Sequence, residues 1–344
     1  AAVFIFGGDD VVPFCDRQNP CFRQGGDEDR IYGDDFYSDL DGDAQMLPDM
    51  DVGRIPDDPD IIRSPQSALY RALESALPMR SPARASSVAN RRRPAADDVI
   101  SVINPASENQ NLFWSAPHTA QSIPPAFYQD NSLYLILHGS LGDGSRYTGE
   151  TDAGGYPEAF NLASVAPADV VVSSACYGGF VRGRTAKNSI GLAFLARGCR
   201  AFIGHSGASY SPGTGLPESG EAYFARLFLE EYRRGVPAST AFRLSKRRYA
   251  ERIGDQSDLK HIAQLIFFGI PCLRGQAGQT PQPVAAEPVR PPVQVAVGDP
   301  LPPTLVETFG GLRIDPAQWT VPTALPPGIL EVRGGELQIR TGGL

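Results

Sequence analysis

Lysine, histidine and cysteine are scarce in this chain of 344 residues, which holds three lysines, four histidines and five cysteines. Five cysteines in this length do not make a disulfide framework, although Cys15 and Cys21 could pair across a short loop. No apolar run approaches the roughly 18 residues that a membrane span requires. A net charge of −8 argues against binding to nucleic acid through phosphate contacts. We therefore expect no membrane span and no nucleic-acid partner.

The hydrophobic fraction of 42% is enough for a sizeable core, and the length predicts about two domains. Short apolar runs, interpreted as strands buried on both faces, lie at residues 3–6, 99–103, 133–137, 170–172 and 201–204. Helical spacing of apolar residues occurs at residues 66–77, 189–196, 221–232 and 237–253. Strands that alternate with helices predict an α/β fold with a mainly parallel sheet.

Two stretches rich in proline divide the chain. Residues 81–96, rich also in Ser and Arg, are predicted to be an exposed connector after a partial first α/β subdomain at residues 1–80. Residues 276–303 contain 8 prolines, which is typical of an extended linker. The main α/β domain would then occupy residues 97–275. Residues 304–344 alternate β-like pieces with glycine turns, and we expect them to begin a β-rich, concanavalin-like domain of a longer protein.

The ends of two predicted strands carry the strongest functional signal. Residues 133–137 lead directly into His138-Gly139, and residues 170–172 lead through Ser-Ser-Ala into Cys176-Tyr-Gly-Gly. The 38 positions between His138 and Cys176 allow one crossover connection, so parallel neighbouring strands would bring both side chains to one edge of the sheet. An imidazole beside a thiol can carry the proton of a sulfur nucleophile. Either motif alone is more often a buried cysteine or a turn, but together they predict Cys–His catalysis.

This pair of motifs resembles the caspase-like cysteine peptidases of clan CD, and other segments resemble their gingipain (C25) branch. Those segments are the strand and Gly-Asp turn at residues 4–9, the Asp-rich stretch at 37–56 that ends in Val-Gly-Arg-Ile-Pro, and Phe-Phe-Gly-Ile-Pro at 267–271. The likeness covers roughly residues 3–274. It implies a caspase-like three-layer α/β sandwich and a bacterial cysteine endopeptidase that requires no cofactor.

The resemblance also implies roles for individual residues. Cys176 matches the nucleophile, His138 the general acid/base, and the backbone N–H groups of Gly139 and Cys176 the oxyanion hole. In gingipains an acidic residue beyond an earlier strand steadies the histidine, and Asn104 stands at the matching position here. Its amide could accept a bond from the imidazole but brings no charge. An ordinary turn residue before Pro105 is an equally good interpretation of Asn104.

The family's cleavage after Arg, or less often Lys, is the expected specificity, because a carboxylate would bind the cationic side chain. Residues 106–115 would border that pocket. The candidate substrate-binding residues are Glu108 as the carboxylate, Trp114 as an apolar wall, Asp143 and Glu150 as rival carboxylates, and His205 as a wall of the same cleft. Each acidic residue could instead be an ordinary solvated loop charge. Residues 91–93, Arg-Arg-Arg, would be either a self-cleavage site or a basic linker.

Asp39, Asp41 and Asp43 are spaced like Ca²⁺ ligands but lack the glycine and terminal glutamate of an EF-hand. A solvated acidic loop is the favoured interpretation, with Ca²⁺ as an optional ion.

Two other functions fit the same motifs. One is a catalytically inactive scaffold of the same fold, and the other is a thiol acyl hydrolase that acts on non-peptide substrates. A linker followed by a β-rich tail favours an extracellular or cell-envelope location over a cytoplasmic one. An inhibitory segment, if the protein has one, would lie N-terminal to this chain.

Overall fold

The computed structural model describes residues 2–22, 27–42, 47–56, 58, 61, 85–93, 95–103, 111–130, 132–210, 220–271, 330–333 and 336–339. The chain forms two compact units, residues 1–290 and 291–344. In the second unit the described residues form one antiparallel hairpin. The predicted linker at 276–303 and the helix at 66–77 lie outside the described residues.

In chain order, the strands of the described residues are β1 (Ala2–Phe6), β2 (Cys15–Gln18), β3 (Arg30–Gly33), β4 (Asp51–Ile55), β5 (Ala85–Asn90), β6 (Leu112–Ser115), β7 (Ser132–Ile136), β8 (His138–Ser140), β9 (Asp143–Thr148), β10 (Glu158–Asn161), β11 (Val170–Ser173), β12 (Ala201–His205), β13 (Leu265–Gly269), β14 (Leu330–Arg333) and β15 (Glu336–Ile339). Eight of them form one sheet in the order β1-β4-β13-β12-β11-β7-β5-β6. Neighbouring strands are parallel except β12 and β13. The predicted α/β fold with a mainly parallel sheet is therefore confirmed.

The α-helices of the described residues are α1 (Ala95–Ile103), α2 (Ile190–Ala196), α3 (Gly220–Arg233), α4 (Ala238–Ala250) and α5 (Gln256–Ala263). Along β7, Tyr134 and Ile136 pack in one core with α1, α3 and α4, whereas Leu133 and Leu135 pack in a second core with α2. Because successive side chains of a strand point to opposite faces, the apolar run at β7 fills both cores. The result is a three-layer sandwich.

The prediction of a strand at residues 99–103 was wrong, because this segment is the second half of α1. Ala96, Val99 and Ile100 are all buried in the same core. Their spacing of three and four residues is that of one helix face. The short apolar run matched a buried strand equally well by composition, and its length could not separate the two.

The prediction of an exposed connector at residues 81–96 was also wrong. β5 lies between β7 and β6, and all six of its residues are buried. Its sequence, Ala-Ser-Ser-Val-Ala-Asn, consists mostly of small residues, so it lacks the apolar run that marks the other central strands. One buried polar group is paired at the edge of this strand, where the Ser86 hydroxyl donates to Asp130 at 2.7 Å.

Of the strands that precede residue 80, β1 and β4 belong to the main sheet, whereas β2 and β3 form a separate antiparallel pair. β1 and β4 extend the main sheet beyond β13, with Arg54 of β4 opposite Phe268. Arg54 is fully buried and makes a two-pronged ion pair with Asp34, at 2.9 and 2.7 Å. Its Nη1 also donates to the carbonyls of Gly7 and Val12. These bonds hold segments of the first part of the chain to one another, and the pairing of β4 with β13 joins them to the main sheet. Residues 1–290 therefore form one compact unit rather than two divided at residue 80.

A smaller antiparallel sheet of β8, β9 and β10 begins at His138, directly after β7. Cys15 and Cys21 are both free thiols rather than a disulfide. Among the described residues, no helix is long and apolar enough to cross a membrane.

Candidate active site

The carboxyl ends of β5, β7 and β11 lie side by side at one edge of the sheet. Ser173 of β11 pairs with Leu135 of β7, and Ala89 of β5 pairs with Ile136. The chain then continues from each strand to a polar residue: Asn90 ends β5, His138 follows β7, and Cys176 follows β11. The structure therefore places His138 and Cys176 at the same edge of the sheet.

Gly139 shows how closely the two strand ends approach. A Cβ atom at this position would lie 1.9 Å from the carbonyl oxygen of Cys176, a distance that no side chain allows. The residue after the imidazole must therefore be glycine for the Cys176 backbone to lie beside it.

Cys176 is partly exposed, and its sulfur contacts one residue of the loop that follows β12. The backbone N–H of Ser209 donates to Sγ at 3.3 Å, while the carbonyl and hydroxyl oxygens of Ser209 lie 3.4 Å from it. The Ser209 hydroxyl in turn donates to Ser174 O at 2.9 Å. All hydrogen bonds of this sulfur within the described residues go to Ser209, so the imidazole is not bonded to the thiol in this arrangement.

Tyr177 turns the chain immediately after the sulfur. Its φ of 57° lies in the left-handed region, which L residues other than glycine seldom adopt. Its N–H donates to Gly207 O at 2.9 Å, and Gly179 N–H donates to His205 O at 2.8 Å. Strain of this kind persists where the surroundings hold it, and here the chain after β12 does so.

His138 is held on its Nε2 side by two residues. Nε2 lies 2.7 Å from the Asn90 amide nitrogen and 3.1 Å from Glu150 Oε2. The Asn90 oxygen accepts the N–H of Arg92 at 2.9 Å, so the amide turns its NH₂ toward the ring. A neutral imidazole with its proton on Nδ1 accepts from Asn90 through Nε2, whereas the tautomer with its proton on Nε2, like the imidazolium, donates from Nε2 to Glu150. The ring edge also meets Tyr156, with centroids 5.4 Å apart.

Glu150 is largely buried, and three groups lie within hydrogen-bond distance of its carboxylate. Arg92 Nη1 lies 2.6 Å from Oε1, while His138 and Asn90 contact Oε2. Burial raises the pKa of Glu150, but the hydrogen bonds from His138, Arg92 and Asn90 outweigh it and hold this pKa below its ordinary value. The group is thus kept as an anion beside the imidazole.

Two expectations from the sequence concern these contacts. The residue that faces His138 from an earlier strand is Asn90 of β5, whereas Asn104 lies outside the described residues. Glu150 was proposed as a carboxylate for the substrate, but its charge is already matched by Arg92 and His138.

The other substrate-binding candidates are dispersed. Glu108 lies outside the described residues. Trp114 of β6 is half-buried and packs against the core. Asp143 bonds Ser145 and pairs with Arg146 at 2.8 Å within its own hairpin, and hydrogen bonding to Ser145 lowers its pKa. His205 is 1% exposed, so the prediction that it lines the cleft was wrong.

The Arg-Arg-Arg run at residues 91–93 is folded against this site rather than presented as an open linker. Arg92 pairs with Glu150, and Arg93 pairs with Glu221 at 3.2 Å. The N–H of Arg91 donates to Ser115 O at 3.1 Å. A cut here would require the end of β5 to leave the sheet.

The acidic loop brings Asp39 and Asp41 close to Asp49, while Asp43 lies outside the described residues. Asp49 already accepts from the N–H groups of Leu40 and Asp41 and pairs with Arg247. These partners account for the arrangement without an ion, so we assign no metal role to it.

No protein-family model matches the chain, and a comparison with curated proteins found no match. Solved structures do match its fold. One is the complex of the pro- and mature domains of RgpB from Porphyromonas gingivalis, with a TM-score of 0.56 and 12% identity over 80% of this chain and 66% of that chain. Another is described as the structure of a protease, with a TM-score of 0.51 and 12% identity over 78% of this chain and 63% of that chain.

This chain thus spans slightly less than two thirds of each matched chain. Identity at this level carries the fold alone. The caspase-like sandwich that the motifs implied is confirmed, and the likeness to RgpB supports the gingipain-like form of that fold.

Proposed function

We propose that this protein is a cysteine endopeptidase with Cys176 as the nucleophile and His138 as the general acid/base. The observation that carries the proposal is the contact of Gly139 with the Cys176 carbonyl, since it brings the two strand ends together at an accessible edge of the sheet. Fold similarity to RgpB and to a second protease supports the same reaction class.

In the proposed reaction, the Cys176 thiolate attacks the scissile carbonyl carbon and a C–S bond forms. The oxygen becomes an oxyanion, which the backbone N–H groups of Gly139 and Cys176 would stabilise. His138 gives a proton to the leaving amine as the C–N bond breaks, and an acyl-enzyme remains. The imidazole then takes a proton from water, which hydrolyses the thioester and restores the thiol.

Glu150 supports both protonation states that His138 needs in this cycle, because it can accept Nε2–H from the imidazolium and from the neutral tautomer whose Nδ1 is unprotonated. Within the described residues, Nδ1 of His138 has no hydrogen-bond partner, whereas Nε2 has two. Nδ1 is therefore the atom we assign to proton exchange with the sulfur and the amine. Glu150 favours the imidazolium that forms when the thiol ionises, as a carboxylate does in related catalytic groups.

Cleavage after Arg, or less often Lys, is the specificity we propose. The acidic Asp27 and Glu28 lie near Tyr177, and burial together with these two charges raises the pKa of Tyr177 to about 12. Because Lys260 already pairs with Asp27, the exposed Glu28 is the charge of these two that would favour a cationic substrate side chain. An inhibitory segment N-terminal to this chain stays a prediction.

A panel of fluorogenic peptides with Arg, Lys, Asp or Asn before the scissile bond, run with and without Ca²⁺, tests the proposal. We expect turnover of the Arg peptide by the wild type and none by Cys176→Ala. Turnover of a simple ester alone would instead identify a thiol acyl hydrolase. Silence on every substrate, with no labelling of Cys176 by thiol-reactive peptides, would identify an inactive scaffold.

A further inference from the structure

The sulfur of Cys176 depends for its hydrogen bonds on the loop at residues 206–210, which leaves the end of β12. Ser209 is the residue in contact: its N–H donates to Sγ, and its carbonyl accepts a weaker, uncharged bond from the thiol. A backbone N–H that points at sulfur stabilises a thiolate more than a thiol, because the bond to the anion is charge-assisted. The reactivity of Cys176 therefore depends on how firmly this loop is held.

Three side chains hold the loop at Ser209, and two of them, Asp27 and Lys260, are buried. The Tyr210 hydroxyl donates to Asp27, and Lys260 Nζ also donates to Asp27. Lys260 reaches Ala208 O as well, at 2.7 Å, and lies 4.4 Å from the centre of the Tyr210 ring. The Lys260 side chain is 0% exposed and that of Asp27 is 2% exposed. We call Asp27, Tyr210 and Lys260 the clamp.

Neighbouring bonds support the clamp. The N–H of Tyr210 donates to His261 Nε2 at 3.1 Å, and Gln264 Nε2 donates to Ala208 O at 2.9 Å. Burial lowers the pKa of His261 to about 4, so its ring stays neutral and keeps a free lone pair for Tyr210. His261 lies in α5 and Gln264 at its C-terminal end, so this one helix holds the loop through both bonds.

We propose that the clamp positions Ser209 against the Cys176 sulfur, and that an acidic segment from the beginning of the chain thereby sets the reactivity of the nucleophile. The proposal rests on the proposed function only in treating Cys176 as that nucleophile. Asp27 is the member contributed by the N-terminal part of the chain, more than 140 residues from Cys176 in sequence. Asp27 and Lys260 are positioning residues, because they act on the sulfur through Tyr210 and Ser209.

The chain offers a matched control in a second buried Lys–Asp pair. Lys246 Nζ lies 2.5 Å from Asp35 Oδ2, with side chains 0% and 6% exposed. This pair also joins the N-terminal part of the chain to a helix, α4, but it bonds Leu265 O rather than the loop at 206–210. Loss of either pair removes a similar buried interaction, and only the clamp leads to the sulfur.

The test measures alkylation of Cys176 by iodoacetamide in the full chain across a pH series, with the labelled peptide quantified by mass spectrometry. The variants are Asp27→Asn and Tyr210→Phe for the clamp and Asp35→Asn for the control, each with its thermal midpoint. We expect the clamp variants to alkylate about fivefold more slowly near pH 7 and to reach half-maximal reactivity at higher pH. Asp35→Asn should lower the thermal midpoint but leave the alkylation profile that of the wild type.

Other titratable groups near Cys176 could also change the pH dependence of its alkylation. They are His138 on the neighbouring strand end, Glu28 beside the clamp, Tyr177 and His261. None of them is altered in these variants. Tyr210→Phe keeps the ring and loses only the hydroxyl, so it decides the question if Asp27→Asn fails to fold.

Equal alkylation profiles for the clamp variants and wild type would overturn the proposal. So would an equal change in the clamp and control variants, because that would show a general loss of stability. Alkylation does not require peptide hydrolysis. A chain that shows the expected profiles yet cleaves no peptide would therefore contradict the proposed function and leave the clamp intact.

Discussion

The two sides of the candidate active site, the end of β7 and the end of β11, hold their reactive groups by different means. On the His138 side, the ring is oriented by ionic and amide groups at a half-exposed edge: Arg92, which pairs with Glu150, is 58% exposed. On the Cys176 side, the contacts to sulfur are uncharged, and the charges behind them, Asp27 and Lys260, are buried. The arrangement around His138 acts on the charge of the imidazole, and the arrangement around Cys176 fixes the position of the loop that contacts the sulfur.

The difference has a physical consequence. Ion pairs at an exposed edge are weakened by salt and contribute little to stability, so the His138 side should respond to ionic strength. Buried pairs are screened far less, and breaking one leaves an uncompensated charge. The Cys176 side should therefore respond to changes in packing and acidity rather than to salt.

The largest expected effect comes from removing either reactive group. Cys176→Ala and His138→Ala should each reduce peptide hydrolysis by about 1000-fold or more, because attack and proton transfer are both required. Steady-state kinetics on the Arg peptide measures this. The double variant should lose no more hydrolytic activity than the worse single variant, since the two groups act as a unit. An additive loss of activity would show that they act independently.

Gly139→Ala should have the second-largest effect, because it forces apart the ends of β7 and β11, which carry His138 and Cys176. The added Cβ would lie 1.9 Å from the Cys176 carbonyl, so we expect about 2 kcal/mol of destabilisation in urea unfolding and about a 100-fold loss of hydrolysis. Gly142→Ala is the matched control, since its nearest atom lies at 3.9 Å. Similar behaviour of the two variants would show that the strand ends are not tightly apposed.

Glu150→Gln tests the ionic side and should lower kcat about 10- to 100-fold with a small change in KM, because the imidazolium loses its anion. Raising salt should lower the kcat of the wild type and have less effect on the variant. The depressed pKa of Glu150 also stabilises the folded state above its unfolded value of about 4.5, and this contribution is lost as pH falls through the lower folded value. Urea unfolding from pH 6 to 3 should thus be less pH-dependent in Glu150→Gln than in Glu158→Gln.

The smallest effect concerns acid stability on the buried side. The pKa of His261 is lowered to about 4 by burial, from 6.5, so the unfolded chain binds more protons between these values. Its contribution to stability is complete above pH 6.5 and is lost as pH falls through about 4. His261→Asn keeps an acceptor for Tyr210 but does not titrate, so its thermal midpoint should fall less between pH 6.5 and 4. His205 is also buried and its pKa is also lowered, so some dependence of stability on pH remains in both the wild type and His261→Asn.

The parts of the fold that could be predicted from sequence are those with continuous apolar runs or clear helical spacing. β7, β11 and β12 were found because each is buried on both faces, and α2, α3 and α4 because each presents one apolar face. β5 was missed because its small residues fill a narrow space between two strands, and burial of such residues depends on neighbours that local sequence does not specify.

The same division applies to the candidate site. His138, Gly139 and Cys176 could be recognised because each immediately follows a strand, and parallel strands bring their carboxyl ends together. Asn90 had no such signal, since its strand was not recognised. Glu150, Ser209 and Asp27 belong to loops, whose partners are chosen by packing across the fold.

The amino-acid pattern alone was sufficient for the α/β class and for the pairing of one histidine with one cysteine, because both follow from local periodicity. Which groups orient the imidazole, which loop contacts the sulfur and which distant carboxylate secures that loop were decided only when the chain folded. Hydrogen bonds and buried ion pairs depend on atoms brought within about 3 Å of each other, and such contacts between remote segments have no signature in local sequence.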